Sequence, residues 1–157
     1  MTTKAHSARR DRTAPLGRSC HPACIACGAT HQGGLGLTFA EEPDGAVVAR
    51  FPCDSGYQGY PDRLHGGVIA MLLDAAMVHC LFARGVCGVT AKLEIRFRHP
   101  VEVGSEATVR ARVMTESPSL YVLRGEVYQQ GQLRAEAKGL FAASDRPHWE
   151  EIATRDS

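Results

Sequence analysis

From Val68 to Ala83 the chain reads VIAMLLDAAMVHCLFA, apolar on every side of a helix, with Asp74 as its one formal charge. A helix apolar all round is an enclosed helix. A carboxylate inside it is costly unless it is paired, hydrated or used in chemistry. His65, Gly66 and Gly67 stand just before this run, and Gly85 just after it suits the residue that ends a helix.

Downstream the polarity alternates with period two. Leu93, Ile95 and Phe97 alternate with Glu94, Arg96 and Arg98, and Val109, Ala111 and Val113 with Thr108, Arg110 and Arg112. Further runs span 120–129 and 133–142, after the turn residues Ser117-Pro118-Ser119 and Gln130-Gly131. Such strands have one wet face and one dry face. Upstream, 36–39 and 46–51 flank Pro43-Asp44-Gly45, the pattern of a hairpin. The stretch 53–64, rich in Gly, Tyr and Pro, reads as a loop. The order is two strands, one long helix and four strands. It predicts an α+β fold in which a curved antiparallel sheet of about five to six strands wraps one central helix. Only one side of that helix can face the sheet, so a second copy of the chain is expected to cover the rest.

At 157 residues and a formal net charge of +1, the chain has room for one core and no sign of a polyanion-binding surface. Residues 1–18 are polar and basic and read as a disordered tail; the folded domain is expected over 19–145, with a polar tail over 146–157. The first tail is too short for a DNA-binding domain, so nucleic acid is not an expected partner. The apolar helix falls short of the roughly 20 residues that a bilayer needs, so no membrane partner is expected either. No apolar leader precedes the first Cys, and the expected setting is cytoplasmic.

In that setting the six Cys are expected as thiols or metal ligands rather than disulfides. Cys20, Cys24, Cys27 and His31 carry the donors of a tetrahedral zinc site. No second Cys pair stands at finger spacing, so the metal-free reading is preferred. Cys53, Cys80 and Cys87 read as small apolar fillers or free thiols. His79 lies five residues beyond Asp74, off its face, and reads as a core or interface residue.

The segment Tyr57-Gln-Gly-Tyr-Pro-Asp-Arg-Leu-His65-Gly66-Gly67-Val-Ile-Ala-Met-Leu-Leu-Asp74 resembles the loop and helix start of phenylacetate-pathway-type, or PaaI-like, acyl-CoA thioesterases of the hotdog fold. The run from Thr90 to Pro100 is similar to the strand that follows in that family, and Cys24-Ile-Ala-Cys27-Gly with Gly34-Leu-Gly-Leu to an N-terminal segment of many members. The resemblance covers about 20–143. It implies hydrolysis of a small or aromatic acyl-CoA to acid and CoA, with no cofactor besides the CoA of the substrate, by a homodimer or a dimer of dimers. It implies Asp74 as general base or nucleophile, and the Gly66 backbone N–H, beside Gly67, as polariser of the thioester carbonyl. His65 matches the His at the helix start, and Gln58 is the candidate for a polar helper. Some relatives place Ser or Thr one turn beyond the acid; Val78 stands there in this chain.

The residues suit that chemistry. Free N–H groups at a helix start can hold charge on a carbonyl oxygen, aided by the helix dipole. Glycine lets a substrate approach the backbone closely. Eight residues separate Gly66 from Asp74, about 12 Å along a helix axis. One carbonyl carbon cannot lie beside both groups of the same helix, so a shared reaction needs two helices packed antiparallel across a two-fold axis. Arg84, Arg96, Arg98 and Lys138 could meet the CoA phosphates, although alternating charges on a strand are ordinarily its wet face. Two other readings stand beside hydrolysis. A non-catalytic acyl-CoA sensor would tolerate loss of Asp74, and a hydratase or dehydratase would want His65 and Asp74 to meet across the dimer.

Overall fold

The alternating runs become one sheet. A computed structural model describes residues 14–144. The elements are helix α1 (Ala14–Cys20), strands β1 (Ala40–Glu41) and β2 (Val47–Pro52), a short 3-10 turn (Ser55–Tyr57), helix α2 (Gly66–Ala83), and strands β3 (Gly88–Phe97), β4 (Glu106–Ser117), β5 (Leu120–Gln129) and β6 (Gln132–Ala143). All strand pairs are antiparallel, in the order β1-β2-β4-β5-β6-β3. Helix α2 lies on the dry face, where Ala107, Val109 and Ala111 of β4, Leu123 and Val127 of β5, and Ala135, Ala137 and Phe141 of β6 are buried.

Two glycines let the helix settle into the middle strands. A side chain at Gly139 would come within 2.9 Å of Met77 Sδ and 2.5 Å of the Phe141 ring; one at Gly125 would come within 3.1 Å of Leu73. The helix ends as its sequence suggests: Gly85 adopts a φ of +75°, and its N–H donates to the Phe82 carbonyl at 3.0 Å.

The expected order of strands and helix holds, with three corrections. Residues 36–39 form no strand. Leu35, Leu37 and Phe39 are buried, but Gly36 turns left-handed, and Leu35 and Leu37 donate to the carbonyls of Ile25 and Ala26 in the Cys-rich segment. Residues 14–18 of the expected tail are helical, because Gly17 is buried beside His79 and Phe82 of α2. The rest of the two expected tails, 1–13 and 146–157, lies outside the described residues. Third, Cys20 and Cys87 are joined in a disulfide across 67 positions of sequence, so Cys87 is no free thiol. The docking of α1 on the end of α2 brings the two together, a proximity that spacing alone cannot show.

The loop before α2 is held at both ends. Leu64 donates to the Val101 carbonyl at 2.9 Å, and His65 to the Tyr57 carbonyl at 2.9 Å. The β3–β4 connection that receives it is locked by two buried polar side chains. Gln129 bonds the Glu102 N–H and the carbonyls of Glu102 and Ser105; Arg134 donates to the Pro100 carbonyl at 2.7 Å. Buried polar groups are tolerated when so satisfied, and here they hold the helix start in place.

Candidate active site

His65 caps α2: its Nδ1 accepts the Gly67 N–H at 2.9 Å. The Val68 and Ile69 N–H groups donate to the His65 carbonyl at 2.9 and 3.1 Å. Of the first-turn donors only the Gly66 N–H has no acceptor among the described residues. Gly66 and Gly67 are exposed, and Gly66 lines an open hollow of about 360 Å³ with Gly59, Tyr60, Arg63, Leu64 and His65. Gly59 is needed under the cap, since a Cβ there would lie 3.1 Å from the His65 ring. The structure thus separates two neighbours that look alike in sequence: Gly67 is spent on capping, and Gly66 is available.

Gln58 is exposed, and its side-chain oxygen accepts the Asp62 N–H at 3.3 Å, closing the loop. Asp62 takes a φ of +60°, so the loop needs that closure.

Asp74 is not enclosed as the uniform apolar run predicts. It is half-buried, on the side of α2 where Ala70 and Met71 are also only partly covered. The C-terminal half is covered more fully, by α1 and by Phe39, whose ring stacks on His79 at 4.2 Å. His79 is thus a core residue. Asp74 Oδ1 accepts the Thr90 hydroxyl at 2.7 Å. Thr90 sits on β3, an edge strand of the sheet, and supplies the hydroxyl that Val78 lacks. The sequence shows Thr90 only as one residue of a strand, because the contact depends on how β3 docks beside α2. Burial holds the His21 imidazole below its ordinary range, while the charge of Asp74 pulls it the other way.

The outer edge of β3 has no strand beside it among the described residues, and it exposes Val89 and Phe97. Phe97 also lies against Gly66, 3.7 Å from where a Cβ would be. The acid, the free N–H and the apolar edge therefore share one open side of the molecule. Arg98 does not: it pairs with Glu136, which Arg124 also contacts. Arg84 lies 3.6 Å from Glu116.

Of the four donors that the sequence offers as the alternative to a metal-free segment, Cys20 is in the disulfide and the His31 ring is on the Gln32 carbonyl at 3.1 Å. That set does not assemble. Cys24 and Cys27 are brought together, and His21 rather than His31 joins them.

Comparison with known proteins fits this geometry. Residues 62–136 match the family described as "Thioesterase superfamily". The acyl-coenzyme A thioesterase THEM4 of Bos taurus is 30% identical over 117 residues, 71% of this chain and 48% of that protein. The chain thus spans about half the length of the curated relatives it matches. A solved thioesterase superfamily protein is 26% identical at a TM-score of 0.71, covering 75% of this chain and 62% of its own. The phenylacetic acid degradation protein PaaI of Thermus thermophilus, solved as a variant, is 25% identical at a TM-score of 0.63, covering 69% and 93%. Residues 62–136, which hold α2 and β3 to β5, thus match the thioesterase superfamily, and the chain has the hotdog fold.

Proposed function

We propose that the chain hydrolyses acyl-CoA thioesters, with Asp74 and Thr90 of one protomer and the Gly66 N–H of its partner forming each site. The observation that carries this reading is the Thr90–Asp74 hydrogen bond on the open side of an otherwise enclosed helix. The bond orients the carboxylate and takes up Oδ1, leaving Oδ2 for the reaction. Acting as base, Oδ2 removes a proton from water as the water oxygen adds to the thioester carbonyl carbon. The carbonyl oxygen gains the negative charge and accepts the Gly66 N–H. Collapse expels the thiolate of CoA, which takes up a proton, and the carboxylic acid remains. In the nucleophilic variant Oδ2 attacks the carbonyl itself and the CoA thiolate leaves and takes up a proton; water then cleaves the mixed anhydride, returning the Asp74 carboxylate and releasing the acid. The family match and the thioesterase names of the relatives support the reaction class.

The bare edge of β3 supports the dimer. A long unpaired strand with exposed apolar side chains invites pairing with another strand, and a two-fold copy is the simplest partner. The acyl group would sit between protomers, where a small or aromatic group is the expectation. The two tested arms are hydrolysis and binding. Thiol release from a panel of acyl-CoAs should fall by about 10²- to 10⁴-fold in Asp74→Ala, with acyl-CoA binding kept. If wild type releases no thiol from any acyl-CoA yet binds them, the chain is a sensor and the hydrolase reading fails.

A further inference from the structure

The Cys-rich segment is built as a tight turn. The Gly28 N–H donates to the Cys24 carbonyl at 2.7 Å, closing Cys24-Ile-Ala-Cys27-Gly28. A Cβ at Gly28 would lie 2.4 Å from the Cys24 nitrogen and 2.6 Å from its oxygen, so the turn closes only around glycine. Inside it, Cys24 Sγ accepts the Ala26 N–H at 3.4 Å. A hydrogen bond to sulfur strengthens when the sulfur is a thiolate, since charged acceptors bind donors more tightly. His21 reaches the same point, its Nδ1 3.8 Å from Cys27 Sγ. One donor atom of each residue lies within 4.8 Å of the others, and all three residues are half-buried. The His21 ring is steadied edge-on against Phe82 at 5.1 Å.

The 3.8 Å from Cys27 Sγ to His21 Nδ1 is close to the spacing of two ligands on one metal ion, and the bound of 4.8 Å on the whole set leaves side-chain adjustments of about 1 Å to close it. Zn–S bonds of about 2.3 Å and Zn–N bonds of about 2.0 Å at tetrahedral angles put ligand atoms about 3.5 to 3.8 Å apart. Two thiols and one imidazole are the donors zinc prefers over harder cations. Such a cluster would add to what already holds residues 21–37 to the core, the burial of Ala26, Leu35 and Leu37.

We propose that His21, Cys24 and Cys27 bind a zinc ion. Binding releases the two thiol protons. The fourth position is left to a water from the cleft of about 310 Å³ that His21 and Cys27 line with Thr38 and Phe39. The site staples the N-terminal segment to the core.

The test needs no hydrolysis assay. Full-length protein purified without chelator or air should hold about one zinc per chain, and cobalt(II) loaded in its place should show a thiolate-to-cobalt charge-transfer band in the near ultraviolet. Both signals should vanish in Cys24→Ser and Cys27→Ser and weaken in His21→Ala. They should persist in the double variant Cys20→Ser/Cys87→Ser, and removing zinc should lower Tm. Wild type that takes up neither metal, its free thiols verified by titration, overturns the site whatever becomes of the variants. So does a full cobalt band in Cys24→Ser/Cys27→Ser. Loss of the band from a folded Cys20→Ser/Cys87→Ser protein assigns the metal to other ligands and overturns the proposed set.

Discussion

At the scale of residues, the proposed chemistry rests on two donors and one acid. The Thr90 hydroxyl holds Oδ1 of Asp74. Thr90→Val keeps the shape and removes the donor, so kcat should drop by about tenfold, the value of roughly one charge-assisted hydrogen bond, with KM nearly unchanged. Steady-state thiol release checks this; an unchanged kcat would leave Thr90 without a role. Gly66 permits a cleaner experiment. It is the first residue of α2, where proline is favoured and only the N–H is lost. His65 before it already has φ −61° and ψ 134°, the backbone that a following proline demands. Gly66→Pro should therefore fold with Tm nearly intact and lose about 10²- to 10³-fold in kcat, as when one oxyanion donor is removed. Asp74, Gly66 and His65 were legible in the sequence because glycines before an apolar run with a lone acid are a local pattern. Thr90 was not, because it stands 16 residues from Asp74 on another element. The division of labour between Gly66 and Gly67 was hidden too, since it depends on which way the His65 ring turns.

At the scale of elements, the fit of α2 onto the sheet rests on absent side chains in β5 and β6. Gly139→Ala would press a methyl group into Phe141 and Met77. It should destabilise the fold by about 1–3 kcal/mol, the usual cost of overpacking, measured by denaturant unfolding. The sheet also carries an acid-sensitive link. Glu136 on β6 accepts hydrogen bonds from Arg98 after β3 and from Arg124 on β5. The Arg98 hydrogen bond, more than its charge, holds the Glu136 carboxyl below the ordinary range. A carboxyl depressed on folding stabilises above its unfolded value, about 4.3, and loses that contribution as pH falls through its lower folded value. Glu136→Gln should thus be less stable than wild type at neutral pH, and the gap should close below about pH 4; equal Tm differences at both pH values would refute the link. The four strands after the helix were readable because period two survives in their buried and exposed positions. The 36–39 run misled because its apolar residues face the core from an irregular chain, turned at Gly36.

At the scale of the whole molecule, the proposed site needs a partner on the open side of α2 and along the edge of β3 that is bare among the described residues. In solution the chain should run as a dimer or larger, measured by light scattering; a monomer with full activity would refute the shared site. Mixed dimers give the stricter test. Asp74→Ala and Gly66→Pro chains, each inactive alone, should on mixing regain about one working site per mixed dimer, because one interface then holds an intact acid and an intact N–H.

What the sequence by itself determined was local and periodic: the long apolar helix, its glycine start and stop, the alternating strands, and the position of one acid along the helix. Periodicity reports which face of an element is dry, and that suffices for the order of elements and for a family likeness. The tertiary structure alone decided which groups meet. It joined Cys20 to Cys87, set His21 rather than His31 beside Cys24 and Cys27, left the Asp74 side of the helix open, and brought Thr90 to its carboxylate. Each of these is a contact between residues on separate elements. Spacing along the chain carries no information about such contacts until the elements are packed.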